Sequence, residues 1–475
     1  MRKLIPALIA CVISGTVSMA QPYRVTLRSN HHAGIAYLTY HLGPRLSIED
    51  SAIVDNSGKA VFTGNRKLPG GIYAIVFPGK RNSADFLIDK SQVIDIQADT
   101  SNLAAMKVTG SPENILFQQY QRDIQEKGNL LMAERNAYMA SRTAKDSALH
   151  EAKYNQYNKD LNEYRQSLIV NHPNSMMAAL LQAMKEPPVP PHTAVTRQDS
   201  LDNYYYYKSH FWDGVSFMDD RIIRTPFFLP KLERYYRDVL AGAPADSLIK
   251  DIDYKLLLAR TAPETYKFLL NWLTDEYINP KYMGQDAVFV HLFQQYHSKG
   301  LSPWLNAKQM EVISRRAYMQ MDNLIGVQAA NLEMLDTAGK PTPLYGVKAD
   351  YILVLFWDPT CGHCKEELPK IDSIYRASWQ KKNVKIYAVL TEDKKAEWLS
   401  YINEHNLRDW INVYQTKEME KADYDAQRPG YRQLYDVIQT PTVVLLDKEK
   451  RIIGKKLSWQ QLNDFLESKW TKKTN

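Results

Sequence analysis

Residues 356–369 read FWDPTCGHCKEELP. Two cysteines, Cys361 and Cys364, stand two residues apart. They directly follow the apolar run Tyr351-Ile352-Leu353-Val354-Leu355-Phe356-Trp357 and open a helical pattern. A continuous apolar strand is what a sheet covered on both faces requires. A strand that breaks into a helix at such a pair admits three readings: a redox centre, a metal clip or a structural staple. The rest of the chain narrows them.

Around this stretch, from about residue 326, strands and helices alternate. Strands are expected at 332–336, 351–357, 384–390, 411–414, 442–446 and 451–456. Helices are expected from the cysteines to 379, near 396–404 and at 462–470. That alternation is an α/β pattern. Upstream, over 111–325, the period becomes helical: Ile115-Leu116 with Tyr120, and Tyr154, Tyr157, Leu161 and Tyr164, recur at three- and four-residue steps, as on one helix face. The run Glu186-Pro187-Pro188-Val189-Pro190-Pro191 cannot be helix interior, because proline lacks a donor and clashes with the preceding turn. The segment from Tyr204-Tyr205-Tyr206-Tyr207 through Asp219-Asp220-Arg221 to Arg237 reads as core packing with a capped helix start; a recognition groove is the alternative. Over 21–110, short runs rich in Val, Ile and Tyr are separated by Asn56-Ser57-Gly58 and Pro69-Gly70-Gly71, the marks of an antiparallel β domain. His31-His32 is a turn pair rather than a metal site, since no third ligand lies at suitable local spacing.

The chain of 475 residues is too long for one ordinary domain. Its net charge of +7 falls to +5 without the first twenty residues, which hold Arg2 and Lys3 and no acid. Spread over this length, that excludes a nucleic-acid footprint. Those twenty residues have a basic start, an apolar centre and a small-x-small finish at Ser18-Met19-Ala20, the anatomy of a secretory signal. The expected cut follows Ala20. Leu8-Ile9-Ala10-Cys11 offers an alternative, a lipoprotein box with a lipid on Cys11. A permanent span is the weaker reading, because Pro6 and Gly15 interrupt the segment.

Of three cysteines, Cys11 leaves with the signal under the expected cut, and Cys361 and Cys364 remain. A bridge between them closes a tiny loop, so it removes little entropy from the unfolded chain and is a poor staple. Zinc needs about four ligands, and no second Cys or His pair accompanies this one. Thiol–disulfide chemistry needs what the stretch supplies. Only a thiolate attacks a disulfide, and a helix N-terminus stabilises negative charge at Cys361. Cys364, one turn later, faces inward and resolves the mixed disulfide. His363 between them favours the thiolate when charged, and Glu366 and Glu367 oppose it. On that ground the pair should be more oxidising than one with a Gly-Pro insert.

Residues 326–475 resemble a thioredoxin-fold domain of the TlpA/ResA type, the thiol–disulfide oxidoreductases of bacterial periplasms. The residues behind the likeness are Phe356-Trp357, Cys361-Gly362-His363-Cys364-Lys365, Pro369 five residues later, and Thr440-Pro441 heading Thr442-Val443-Val444-Leu445-Leu446-Asp447. The resemblance implies a cis bond before Pro441, which the dipeptide alone does not, X-Pro being cis in only about 5–6% of cases. It also implies that this loop lies beside the cysteines and pairs with the substrate backbone. Trp357, Pro359, Thr440 and Pro441 are then the substrate-contact residues. Thioredoxin's buried aspartate, six residues before the first cysteine, is here Leu355. Glu392, or Asp393, takes its place as proton acceptor for Cys364. The whole arrangement also resembles multidomain exported proteins of Gram-negative bacteria, on Leu68-Pro69-Gly70-Gly71-Ile72-Tyr73 and on His210-Phe211-Trp212 through Thr225-Pro226.

The expectation is a signal peptide over 1–20, an antiparallel β domain over 21–110, an α-helical domain over 111–325 and a thioredoxin-like α/β domain over 326–475. The expected activity is exported thiol–disulfide exchange through a redox-active Cys361–Cys364 disulfide, with no other cofactor and no metal. Partners would be protein thiols and disulfides of the cell envelope and a membrane electron donor, with anchoring through the N-terminus as an option and no nucleic acid. The direction of electron flow stays open. The alternative is an envelope scaffold whose β and helical domains bind a partner, with the redox pair secondary. A peroxidase is a third reading, disfavoured because peroxidatic cysteines usually lack a resolving partner two residues on.

Overall fold

The computed structural model describes residues 23–30, 33–188, 190 and 193–471. The signal segment with Cys11, the His31-His32 pair, Val189 and Pro191 lie outside the described residues. The chain divides into two compact units, Met1–Leu240 with Leu258–Tyr266, and Ala241–Leu257 with Lys267–Asn475.

The first unit opens with β1 (Tyr23–Ser29), β2 (Ile35–Leu42), β3 (Arg45–Ile53), β4 (Lys59–Gly64), β5 (Gly71–Val76), β6 (Ser83–Ile88), β7 (Val93–Ala98) and β8 (Lys107–Thr109). They form two four-stranded sheets, in the orders β4-β1-β7-β8 and β3-β2-β5-β6. Pairing is antiparallel apart from β1 on β7, which is parallel. In β7, Ile94, Ile96 and Ala98 are buried and the residues between them exposed, the period of two that one covered face demands. With Val25, Leu27, Leu38, Phe62, Tyr73 and Phe86 they form one core.

Two long helices follow, α1 (Pro112–Ala140) and α2 (Ala144–Asn171). Asn114 fixes the phase of α1: its side chain accepts from the Leu87 N–H at 2.7 Å and donates to the Leu87 carbonyl at 2.8 Å, which occupies the edge of β6. With Asn114 facing the strand, Phe117 and Tyr120 are buried and Leu116 packs against them, while Ile115 is 67% exposed; the expected face holds at Leu116 and Tyr120 and fails at Ile115. In α2, Leu161, Leu168 and Ile169 are buried while Tyr154 is exposed; only the second half of the helix meets the core.

Helices α3 (Met176–Ala183) and α4 (Arg197–His210) flank the proline-rich break. The Thr196 hydroxyl and Asp199 carboxylate form a capping box at the start of α4. The expected capped start holds, and the core packing holds from Phe211 onward, where Phe211, Phe217, Ile222, Phe228 and Tyr235 are buried, but not for the four tyrosines. No residue of α4 is buried, and Tyr204 and Tyr205 stand exposed. A short helix, α5 (Phe228–Arg234), follows. The charged trio before it is structural: Arg221 bridges Asp219 at 2.6 Å and Asp89 at 3.2 Å, and Asp220 accepts from the Thr265 N–H at 2.8 Å.

Next come α6 (Ala245–Leu258), α7 (Pro263–Tyr277), α8 (Asp286–Leu292) and α9 (Ala307–Met321), with α8 and α9 wholly in the second unit. Its sheet comprises β9 (Leu335–Asp336), β10 (Tyr351–Trp357), β11 (Val384–Leu390), β12 (Ile411–Tyr414), β13 (Thr442–Asp447) and β14 (Ile452–Lys455), ordered β14-β13-β10-β11-β12-β9. β10, β11 and β12 are parallel, while β13, β14 and β9 run against their neighbours. Every residue of β10 is buried. Leu353, Leu355 and Trp357 enter one core layer and Ile352, Val354 and Phe356 the other, as an apolar run at the centre of a doubly covered sheet must. The sheet is flanked by α10 (Gly362–Ala377), α11 (Lys395–Glu404), α12 (Lys417–Asp425), α13 (Tyr431–Leu434) and α14 (Trp459–Thr471).

The molecule is multidomain: antiparallel β sheets, a helical middle region, and a mixed sheet with a thioredoxin-like fold. Within the second unit, Lys455 is buried and its ammonium meets the Asp286 carboxylate and the Asn323 carbonyl. Asp436, also buried, receives Arg316 of α9 and Lys456, the latter at 2.7 Å. Among the described residues, no helix is long and apolar enough to cross a membrane.

Candidate active site

At Trp357 the chain leaves β10, turns through Asp358-Pro359-Thr360, and enters α10 with Cys361 as the residue that caps it. Asp358 makes the turn. Its carboxylate accepts from the Thr360 N–H at 2.8 Å and the Thr360 hydroxyl at 3.0 Å, and its carbonyl accepts from the Cys361 N–H at 3.1 Å. A short polar side chain that bonds the backbone two residues on is a standard turn device. Burial alone would raise the Asp358 carboxyl, but the Thr360 donors and the Lys394 ammonium outweigh it and hold it below its usual range.

The two sulfurs, both free thiols, sit in unlike surroundings. Cys361 is half-buried. Its thiol donates to the Thr440 carbonyl at 3.4 Å. Burial would raise its pKa, yet the ionised sulfur accepts from the Thr440 side chain, the Cys364 N–H and thiol, and the His363 N–H, and these together lower it. Unpaired N–H groups in the first turn of a helix favour an anion in the same way. Cys364 is 1% exposed. Burial, together with the charge on Cys361, pushes it up to about 12, although the Asp358 N–H favours negative charge on it. One thiol is prepared to ionise and the other to stay protonated.

The Thr440-Pro441 bond is cis, and both residues are partly exposed at the head of β13. Trp357 and Pro359 are buried beneath the elbow, and the Trp357 ring packs 5.2 Å from Tyr401. The His363 side chain is exposed; its contribution to the sulfur is its main-chain N–H. Glu392 accepts from Arg432 at 2.9 Å, and Asp393 pairs with Lys417 at 2.6 Å. The fold therefore gathers Cys361, Cys364, the His363 main chain and Thr440, and engages both strand-end acids with cations. Among the described residues, no group of three or more His, Cys, Asp or Glu is placed to hold a metal.

Three neighbours of the pair were not singled out in the sequence: Asp358, Lys394 and Tyr401. The Asp-Pro-Thr run carried a readable turn signal. Lys394 and Tyr401 lie 30 or more residues downstream and carried none. The Tyr401 hydroxyl is buried without a partner among the described residues. Burial raises it, and the Cys364 sulfur adds to that.

A dithiol at a strand-to-helix elbow of a mixed sheet, with a cis-proline loop against the first sulfur, defines a thioredoxin-like protein. Residues 325–455 match the AhpC/TSA family and residues 12–117 the domain of unknown function DUF4369. The C-terminal third is an AhpC/TSA thioredoxin-like domain, and an N-terminal DUF4369 β domain precedes it. Curated relatives include the thiol-disulfide oxidoreductase ResA of Bacillus thuringiensis subsp. konkukian (strain 97-27), 25% identical over 143 residues, covering 30% of this chain and 75% of the relative. ResA of Bacillus anthracis is 23% identical over 145 residues, covering 30% and 76%. Solved structures include a domain of a possible thiol-disulfide isomerase from Cytophaga hutchinsonii, at 35% identity, with a TM-score of 0.28, covering 32% of this chain and 97% of that one. A thioredoxin-like protein from Bacteroides caccae is 22% identical, with a TM-score of 0.46, covering 60% and 97%. A thioredoxin-like domain of this family supports oxidoreductase activity, and the relatives carry that name.

Proposed function

We propose that the protein is an exported thiol–disulfide oxidoreductase acting through Cys361 and Cys364 on protein disulfides of the cell envelope. The observation that carries the reading is the asymmetry of the two sulfurs: Cys361 is reachable and lowered, Cys364 enclosed and raised. The Cys361 thiolate attacks one sulfur of a client disulfide. That S–S bond breaks, the client's other sulfur leaves as a thiolate, and a Cys361–client disulfide forms. Cys364 then loses its proton, aided by the departing thiolate, and attacks the Cys361 sulfur. The second client thiolate leaves, and a Cys361–Cys364 disulfide remains. Two electrons have passed to the client, and a dithiol donor at the membrane supplies two more to reduce the Cys361–Cys364 disulfide, becoming a disulfide itself. Run backwards, the same steps oxidise the client.

Thr440 and Pro441, beside Cys361, receive the client backbone, and the first 325 residues dock or restrict the client. The leading twenty residues direct export. Cys361→Ser is expected to abolish insulin-disulfide reduction, and Cys364→Ser to accumulate a mixed disulfide visible by mass. Retained turnover in Cys361→Ser would reject the assignment of roles. The reduction potential against glutathione sets the direction of flow.

A further inference from the structure

Asp358 addresses both cysteines at once. Its carbonyl accepts from the Cys361 N–H at 3.1 Å, and its N–H favours negative charge on Cys364 against the effect of burial. The placement of these two main-chain groups depends on the Asp358 side chain, whose carboxylate is mostly buried, at 13% exposure. A buried carboxylate without a compensating cation is strongly disfavoured. The cation that reaches it is Lys394, whose ammonium lies 3.2 Å from Asp358 Oδ2 and 2.5 Å from the Thr360 hydroxyl. Lys394 is itself held from another part of the fold. Its N–H donates to the Glu392 carbonyl at 2.9 Å, its carbonyl accepts from the Trp398 N–H at 2.9 Å, and the adjoining Thr391 N–H bonds the Trp357 carbonyl at 3.0 Å. The lysine thus adds a side-chain bridge where the ends of β10 and β11 are already paired by main chain.

We infer that Lys394 is a positioning residue for the dithiol: it neutralises the Asp358 carboxylate beside Cys361 and keeps the Asp358–Thr360 turn in register with both sulfurs. This deepens the oxidoreductase reading and rests on it. Removing the lysine leaves a bare carboxylate three residues before Cys361, and that charge opposes a second negative charge on the sulfur. Other titratable groups near the pair are His363, Lys365, Glu366 and Glu367 on α10, and Tyr401 on α11. Glu392 is engaged by Arg432 of α13.

The test is the pH dependence of Cys361 alkylation by iodoacetamide in the full reduced chain, mapped by mass, with the glutathione equilibrium constant measured alongside. In Lys394→Met, the Cys361 rate at fixed pH below its midpoint should fall about threefold to tenfold, tenfold being one unit of titration shift. Measured above both midpoints, where the thiolate dominates, the glutathione equilibrium should move by the same factor toward disulfide, about 30 mV for tenfold. Adding Asp358→Asn to Lys394→Met should restore the rate, because the amide keeps the acceptor for Thr360 and removes the charge. An unmoved rate in Lys394→Met overturns the inference, and so does a lowered rate that Asp358→Asn fails to restore, since the lysine would then only brace the turn. If Lys394→Met does not fold, Asp358→Asn alone carries the test: Cys361 should titrate below wild type, and an unchanged titration overturns the inference. Thiol titration reads the local field whether or not a client is turned over, so a failure here is distinct from a failure of insulin reduction.

Discussion

Cys361 and Cys364 are the same chemical group made unlike by one turn of helix. The first caps α10 and meets donors from His363, Cys364 and Thr440; the second points into the core with Trp357, Leu368 and Tyr401. Reaction with a small alkylating agent should therefore be sequential. Cys361 should react at lower pH than an ordinary cysteine thiol does, while Cys364 stays protected in the folded protein to strongly alkaline pH, consistent with a value near 12. Mass mapping across a pH series checks this, and simultaneous reaction would contradict it. Much of this was legible in the sequence, because a Cys-x-x-Cys pair after an apolar strand fixes both the helix start and the spacing of one turn. Where the acid after β11 would point was not. The alternation that assigns faces within a strand stops at its last residue, and Glu392 and Asp393 lie just past Leu390, turned to Arg432 and Lys417.

Among elements, two contacts have consequences that can be measured. Asn114 of α1 satisfies both main-chain groups of Leu87 on β6. Asn114→Ala should destabilise the chain by about 1–3 kcal/mol, the penalty for leaving buried polar groups unpaired, and urea unfolding would show it. The apolar period of α1 placed Leu116 and Tyr120 on the buried face and also Ile115, which is exposed; the polar Asn114 takes that side, and periodicity does not register such a residue. The second contact is His297, enclosed after α8. It bonds the Thr274 hydroxyl at 2.8 Å and the Ser302 hydroxyl at 2.9 Å, and burial lowers it from 6.5 to about 4. The Thr274 hydroxyl donates to the Leu270 carbonyl, so it accepts from Nε2–H, and Ser302 donates to Nδ1; the neutral ring is fully satisfied. Its folded value lies below its unfolded one, so between them the unfolded chain binds the extra proton. Stability is then full above about pH 6.5 and is lost as pH falls toward 4, by on the order of 3 kcal/mol at most. His297→Gln should flatten that part of the pH–stability curve, and an unchanged slope would show that other groups cause it. Helices α12 and α13 escaped the sequence because α12 buries none of its residues and α13 is four residues long.

For the whole molecule, the apolar strands announced the architecture and the buried charges did not. Lys455 and Asp286 are 169 positions apart, and nothing local in either sequence neighbourhood points to the other. Their pairing, with Arg316 and Lys456 on Asp436, ties α8 and α9 into the same compact unit as the redox sheet. Asp286→Ala should cost about 3–5 kcal/mol, as expected when a buried cation loses its partner, and Lys455→Met in the same chain should recover most of it. Equal stability of the single and double variants would contradict that account. The central claim concerns the full chain carrying out exchange: Cys361 opens the client disulfide and Cys364 closes the cycle. Incubating the reduced Cys364→Ser chain with a disulfide-bonded client and resolving the products by mass tests it most directly. The expected product is a single covalent adduct on Cys361, stable until an external thiol is added. No adduct, or an adduct that resolves as fast as in the unsubstituted protein, would contradict the account.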